Sequence, residues 1–402
     1  MEKIKIIEAT NGLGIGGTEY VIQLYCKYLD KEHFDVKVVC FYTGGERVKL
    51  ILELGIEVIQ LNGDLSKLSQ LLQETDVFHW HGPGKLNPEI FTLVKASKPK
   101  LVIQTNVFGE YENSAIYDAI DYDLYVSKMI LIRRMFKDKD LKDNFALKRK
   151  ALSNPVDVDH LSSLLPSDEL IKKIREDNQL KDTFIVGRIG RADNAKFDLI
   201  TLDGFAAFAA KVSNAKFLLV GATASMMEYA NKLKLSDKLI VLDNSLNLEV
   251  LLIYYRLMDV YLAVSNLGES FGMVIAEAMI AGVPVVTVNT PDKDNAQIEL
   301  VDNQKTGLVV EHDVQKIAAA LFYLYKNEPV RTTLATAAKE KVAKEYQASK
   351  IVSSLENLIY YHLQVVSPHS EKSRIADYSP EMVSDYENRC SDLWEPEIKL
   401  VN

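Results

Sequence analysis

Two glutamates, Glu269 and Glu277, stand with seven residues between them in the stretch Asn266-Leu-Gly-Glu-Ser-Phe-Gly-Met-Val-Ile-Ala-Glu-Ala-Met-Ile-Ala-Gly-Val-Pro-Val-Val-Thr287. Gly272 marks a loop-to-helix junction, Gly282 fits the left-handed position after the helix, and Pro284 stops it before a strand. A helix start offers unpaired backbone N–H groups and a positive dipole end, a seat for a phosphate. Glu269 lies just before that seat and Glu277 about two turns along the helix. They are too far apart to share a proton, but well placed to accept hydroxyl hydrogen bonds on either side of a diphosphate. Taken singly, each would read as a solvated surface acid; the whole string does not.

A second cluster follows an apolar run: Val186-Gly-Arg188-Ile-Gly-Arg191-Ala-Asp-Asn-Ala-Lys196-Phe-Asp198. Fixed cations at a strand end can stabilise the charge that a departing phosphate gains. Near the N-terminus, Gly12-x-Gly14-x-x-Gly17 fits a dinucleotide fingerprint, which requires an acid closing the second strand. That strand ends Cys40-Phe-Tyr-Thr43, without an acid, so a nicotinamide reading fails. His79-Trp-His81 and Thr105-Asn106-Val-Phe-Gly109 also end strands. Asp121-x-Asp123 and Asp157-x-Asp159 have a metal-like spacing but no supporting donors, so no metal is expected.

Short apolar runs alternating with helical periodicity must position these residues. Ile4–Ala9, Asp35–Thr43, Glu57–Leu61, Val77–Trp80, Leu101–Thr105 and Leu124–Val126 are buried-strand candidates. The pattern weakens from Asn154 to about Lys181, then restarts over Thr183–Ile189, Phe217–Gly221, Leu239–Leu242, Val260–Val264 and Val285–Val288. Continuous apolar strands between helices predict parallel sheets covered on both faces. Two such halves in series imply a cleft, with ligands at the carboxyl ends of the strands.

The double-glutamate string, the Phe-Gly after the first acid and the GVPVV behind it resemble the signature of glycosyltransferase family 4. The Gly loop, the Asn154-Pro-Val-Asp157 turn and the Arg/Lys segment follow in that family's order. The resemblance implies an α/β, GT-B fold: two Rossmann-like domains facing each other across a cleft. It places an acceptor domain at 1–156, a linker at 157–181, a donor domain at 182–365, and a tail at 366–402 that packs back on the first domain. It implies a retaining transfer from a UDP- or GDP-linked sugar to the hydroxyl of a lipid-linked saccharide, polysaccharide or small glycoside, without metal or other cofactor. In that reading Glu277 binds the ribose and Glu269 the donor sugar's hydroxyls. Phe271, Gly272, Met273 and Val274 hold sugar and phosphate, and Gly16 and Gly17 approach the donor phosphates. Arg188 and Lys196 clamp the diphosphate, with Arg191 sharing the role because the spacing is longer than usual. Where the family often carries a histidine this chain has Asn106, so an imidazole contribution to sugar positioning is either lost or supplied by His81. Glu269, Arg188, Lys196, Asn106 and His81 form the candidate catalytic set.

Other features bound the partners. The 402 residues carry 47 Lys and Arg against 56 Asp and Glu, a net charge of −9, which argues against nucleic acid. Three cysteines without metal spacing suit a reducing compartment. The N-terminus enters a strand pattern at once, and no apolar run approaches the ~20 residues of a membrane span, so a cytoplasmic location is expected. Val126–Lys150 carries a net charge of +6, and its Lys128, Arg133 and Arg134 interleave with apolar residues. That is the pattern of a helix docking at an anionic membrane surface, or of a solvated helix with a core-facing side. The rival functions are a non-catalytic nucleotide-sugar-binding relative and a nucleotide-sugar isomerase on the same fold.

Overall fold

The protein, seen in a computed structural model, is described over residues 2–137 and 147–396. The chain divides into two units, Met1–Asp157 with Tyr346–Val383, and Val158–Glu345 with Ser384–Asn402.

The first unit is built on seven strands: β1 (Ile4–Thr10), β2 (Phe34–Cys40), β3 (Glu57–Gln60), β4 (Val77–Gly82), β5 (Leu101–Asn106), β6 (Tyr122–Tyr125) and β7 (Arg149–Ala151). Their order is β7-β6-β5-β4-β1-β2-β3, all parallel, and Ala376–Asp377 adds an antiparallel edge beside β7. Every residue of β4 and β5 is buried, as a parallel sheet covered on both faces requires. Phe78, Trp80 and Phe91 pack edge to face in one core. Helix starts follow their caps: the Asp64 carboxylate accepts from Lys67 N, and the Asn87 side chain accepts from Glu89 N and Ile90 N ahead of Pro88–Ser97. The late helix Ala348–Leu363 packs beside Gly17–Tyr28, and the Glu356 carboxylate accepts from Asp30 N at 2.7 Å.

The second unit holds β8 (Phe184–Ile189), β9 (Ala215–Val220), β10 (Leu239–Leu242), β11 (Val260–Ala263), β12 (Gly268–Glu269), β13 (Val285–Val288), β14 (Asp294–Asn295) and β15 (Gly307–Val310). Six make a parallel sheet in the order β10-β9-β8-β11-β13-β15, and β12 pairs with β14. Helices Ile200–Ala209 and Val314–Lys326 pack closely because residue 204 is Gly; a Cβ there would lie 2.5 Å from Ile317 Cγ2. Phe205, Phe208, Phe217 and Leu321 fill the core. Trp394 closes it, its backbone N–H donating to Val309 O at 2.7 Å and its ring resting on Tyr323.

The sequence reading of the junctions is corrected in two places. Residues 157–181 are no linker: Val158–Ser163 and Asp168–Asp177 are helices of the second unit, and Arg175 Nη2 pairs with Asp259 Oδ2 at 2.6 Å. The main stretch of the second unit runs to Glu345, where the sequence places the boundary at 365. The segment 346–383 completes the first unit, while 384–396 belongs to the second, so the expected tail is divided between them. Among the described residues no helix is long and apolar enough to cross a membrane.

Each unit buries one of the two tryptophans, Trp80 in the first and Trp394 in the second. In a Trp80→Phe background, fluorescence-detected denaturation therefore reports the second unit. There Phe205→Ala, which empties a fully buried ring site, is expected to lower the unfolding free energy by about 3–5 kcal/mol.

Candidate active site

In the second unit the chain runs outward from β8 through β9 to β10, then returns to β11 on the other flank of β8 and runs outward again. The loops after β8 and β11 consequently diverge, opening the crevice where open α/β sheets bind ligands. Arg188 is the penultimate residue of β8 and only 5% exposed. Its guanidinium lies over the Phe197 ring, 4.7 Å from the centroid, and Nη1 has no hydrogen-bond partner. Burial pushes its pKa below the ordinary arginine value, against the opposing fields of Tyr261, Glu269, Asp193 and Asp198. Gly190 leaves it space: a Cβ there would come 2.9 Å from Nη1.

The loop carrying Lys196 is stitched to the loop after β11. Phe197 bridges Ser265, Asn266 N donates to Lys196 O at 3.0 Å, and Asn266 Nδ2 donates to Ala195 O at 3.2 Å. Lys196 Nζ then lies 3.0 Å from Glu269 Oε2. Glu269 is set by the β12–β14 pairing and by its own N–H donating to Gln297 Oε1 at 3.2 Å. Gln297 is itself buried and anchored, donating to Val288 O, Thr290 Oγ1 and Asn295 Oδ1.

Helix Met273–Ile280 begins at Gly272, whose φ of 101° is glycine's territory, with no side-chain cap over its first N–H groups. Glu277, on the same helix, is buried and accepts a 2.9 Å hydrogen bond from Tyr255 Oη. Arg188, Lys196, Glu269, Gly272 and Glu277 thus belong to elements of one unit around one switch point. Phe271 and Met273 are buried beside them and Val274 is half-buried. Arg191 is exposed on the loop, so the buried, stacked cation is Arg188.

The remaining candidates lie in the first unit. Gly16 is the N-cap of Gly17–Tyr28, with no side-chain cap, and a Cβ there would meet Glu19 Oε2 at 2.1 Å. Asn106 is engaged structurally: its Nδ2 donates to Glu110 O at 3.0 Å and its Oδ1 accepts from Gly109 N at 2.8 Å. Both halves of that amide hold the loop after β5.

His81 is buried with Glu8 and His79. Its Nε2 lies 2.5 Å from Glu8 Oε2, His79 Nδ1 lies 2.9 Å from the same oxygen, and His79 Nε2 lies 2.8 Å from Thr105 Oγ1. Burial pushes the Glu8 carboxyl up, but the His79 charge and hydrogen bonds from both imidazoles outweigh it and hold it at about 2. Burial and the neighbouring His79 push His81 down to about 4. Three such side chains are metal-ligating types, with donor atoms within 4.8 Å of one another. Glu8 sits between the two imidazoles, and His81 Nδ1 is left buried without a hydrogen-bond partner.

Among the described part of the basic segment, Met129, Ile130, Leu131 and Ile132 on helix Lys128–Lys137 face the core, and Arg134 Nε donates to Gly109 O at 2.7 Å. Those four face inward, while Phe136 on the same helix is exposed; Lys139, Lys142, Asp138, Asp140 and Asp143 lie outside the described residues.

Tyr255, Gln297, Gly190 and Glu8 were not singled out in the sequence. The only signal was at Glu8, an acid inside the apolar run Ile4–Ala9.

Residues 167–341 match the family described as glycosyl transferases group 1. The capsular polysaccharide biosynthesis glycosyltransferase CapM of Staphylococcus aureus is 25% identical over 372 residues, 83% of this chain and 91% of that protein. The N-acetyl-α-D-glucosaminyl L-malate synthase of Bacillus anthracis is 29% identical over 151 residues, 37% of this chain and 38% of that one. Among solved structures, a glycosyltransferase from Rickettsia africae superposes with a TM-score of 0.73 at 17% identity, covering 90% of this chain and 100% of that one. Anabaena HepE in complex with UDP-glucose gives 0.71 at 18% identity, covering 90% and 99%.

The Glu8–His79–His81 group predicts a pH dependence. Below its ordinary pKa of 6.5, an unfolded His81 binds a proton that the native residue refuses until about pH 4. Stability therefore falls as pH drops from 6.5 towards 4, with a limiting slope of ~1.4 kcal/mol per pH unit for that proton. Glu8 adds to the loss as pH falls from 4.5 to about 2. Denaturation between pH 6.5 and 5 should show the loss in the wild type and a shallower slope in His81→Asn. A slope unchanged by that substitution would contradict the assignment.

Proposed function

We propose that this chain, a group 1 glycosyltransferase with the GT-B fold, moves a sugar from a UDP- or GDP-linked donor to an acceptor hydroxyl with retention of anomeric configuration. Arg188 carries the reading: a buried cation with a nitrogen left unpartnered is built to receive an anion. As the glycosidic C–O bond breaks, the departing diphosphate gains charge. Arg188, Lys196 and the start of helix Met273–Ile280 stabilise it, each worth more inside a dry site than in water.

Glu269 accepts from hydroxyls of the donor sugar, and Glu277 from the ribose. The leaving phosphate oxygen takes the acceptor's proton while the hydroxyl attacks from the same face, which retains the configuration without a protein base. With two side-chain cations on the phosphates, the transfer proceeds without a metal ion. The first unit supplies the acceptor site. The likeness to a capsular polysaccharide enzyme supports a saccharide acceptor.

A thermal-shift panel of UDP-, GDP- and ADP-sugars tests the donor, since only ligands binding the native state raise the melting temperature. Arg188→Ala is expected to lower kcat by about 10²–10³-fold, the range for removing an electrostatic stabiliser. Glu277→Ala should weaken nucleotide binding, and Glu269→Gln should depress turnover more than donor affinity. Free nucleoside diphosphate should form in equal amount with the new glycoside. A sugar altered while still attached to its nucleotide would make the enzyme an isomerase, and unchanged kinetics in all three variants would remove the site.

A further inference from the structure

Tyr255 lies on helix Leu248–Leu257, fully buried, and donates its hydroxyl to Glu277 Oε2 at 2.9 Å. Its ring packs on Tyr261 of β11, centroids 5.7 Å apart, and Tyr261 Oη donates to Ile189 O, the residue after Arg188. Helix Met273–Ile280 is apolar almost all round: Met273, Ile275, Ala276, Ala278, Met279 and Ile280 are buried with Glu277. A carboxylate in that setting needs a donor to hold its charge and fix its rotamer. Burial and the adjacent carboxylate keep the Tyr255 hydroxyl protonated, hence a permanent donor.

We propose that Tyr255 is a positioning residue for donor binding, acting through Glu277. The inference deepens the proposed function and rests on its assignment of Glu277 to the ribose. The hydroxyl fixes one carboxylate oxygen, so that the group meets the ribose hydroxyls already oriented and loses little freedom on binding.

The helix does not depend on that hydroxyl for its place. The Asn247 side chain caps its start, accepting from Glu249 N and Val250 N, and Arg256 Nη1 donates to Ala281 O at 3.2 Å beyond the partner helix. Tyr255→Phe therefore removes one hydrogen bond and leaves the ring contact with Tyr261.

The test is calorimetric titration of the full chain with UDP and GDP, repeated with the 2′,3′-dideoxy nucleotide, alongside donor kinetics. Tyr255→Phe is expected to weaken binding of the natural nucleotide about tenfold, the size of a hydrogen bond to a charged group. Donor KM should rise while kcat at saturation stays within about twofold. The loss should vanish with the dideoxy nucleotide, which offers Glu277 no hydroxyl, and in a Glu277→Ala background. Wild-type affinity in Tyr255→Phe, an equal loss on the dideoxy nucleotide, or a fall in kcat alone would overturn the proposal. If Glu277→Ala weakens binding and Tyr255→Phe does not, only this inference fails. A wild type that binds neither nucleotide removes the proposed function as well.

Discussion

A guanidinium held out of water with one nitrogen unpartnered is the constraint around which the second unit is arranged. An isolated buried charge costs several kcal/mol even after the surroundings relax. Arg188 is tolerated because the Phe197 ring offers its face and because Glu269, Asp193 and Asp198 supply a negative field without saturating the cation. A solvated arginine would have to shed water when an anion arrived; this one has done so during folding. On the proposed function, part of the cost of binding the donor's diphosphate is met in advance by the stability of the fold.

That arrangement follows from strand order. Placing β8 in the middle of the sheet, with β9 on one side and β11 on the other, sends the loops after β8 and β11 in opposite directions. The chain then refastens the two loops through Phe197–Ser265 and Asn266, and it is this fastening that brings Lys196 to Glu269. Gly268 is part of the same construction. Its φ of 73° and a would-be Cβ 1.7 Å from Asp294 O leave no other residue type compatible with the β12–β14 pairing that sets Glu269. The first unit has the same kind of switch between β1 and β4, but there the buried polar groups face one another. Glu8 lies between His79 and His81, although His81 Nδ1, like Arg188 Nη1, is left without a partner.

What was legible in the sequence is what local physics writes there. Parallel strands buried on both faces leave unbroken apolar runs, so β4, β5, β8 and β13 stood out. Gly272, Gly282 and Pro284 marked the ends of Met273–Ile280 because each supplies a backbone geometry that few residues can. Roles that depend on what arrives from elsewhere in the chain were not legible. Tyr255 has the periodicity of any core aromatic, and nothing near it in sequence announces a carboxylate 22 residues on. Asn106 sits at a strand end, where a polar residue suggests a ligand contact, yet its amide closes the loop to Glu110. The charged run before Lys181 read as a linker because only Ile171 of Asp168–Asp177 is buried, too thin an apolar stripe to suggest a helix.

The first unit is discontinuous: Ala376–Asp377 covers β7, and Ala348–Leu363 lies beside Gly17–Tyr28, both from the chain segment between the two stretches of the second unit. Nascent N-terminal residues emerging from a ribosome therefore lack one edge strand and one covering helix until nearly the whole polypeptide has been made. The second unit waits in turn for Trp394 to close over Tyr323. Modular exchange between homologous genes meets the same geometry, because a single crossover upstream of codon 346 would join the first unit's sheet to a covering helix from another lineage. Inheritance of an intact first unit is thus tied to two separated stretches of the gene.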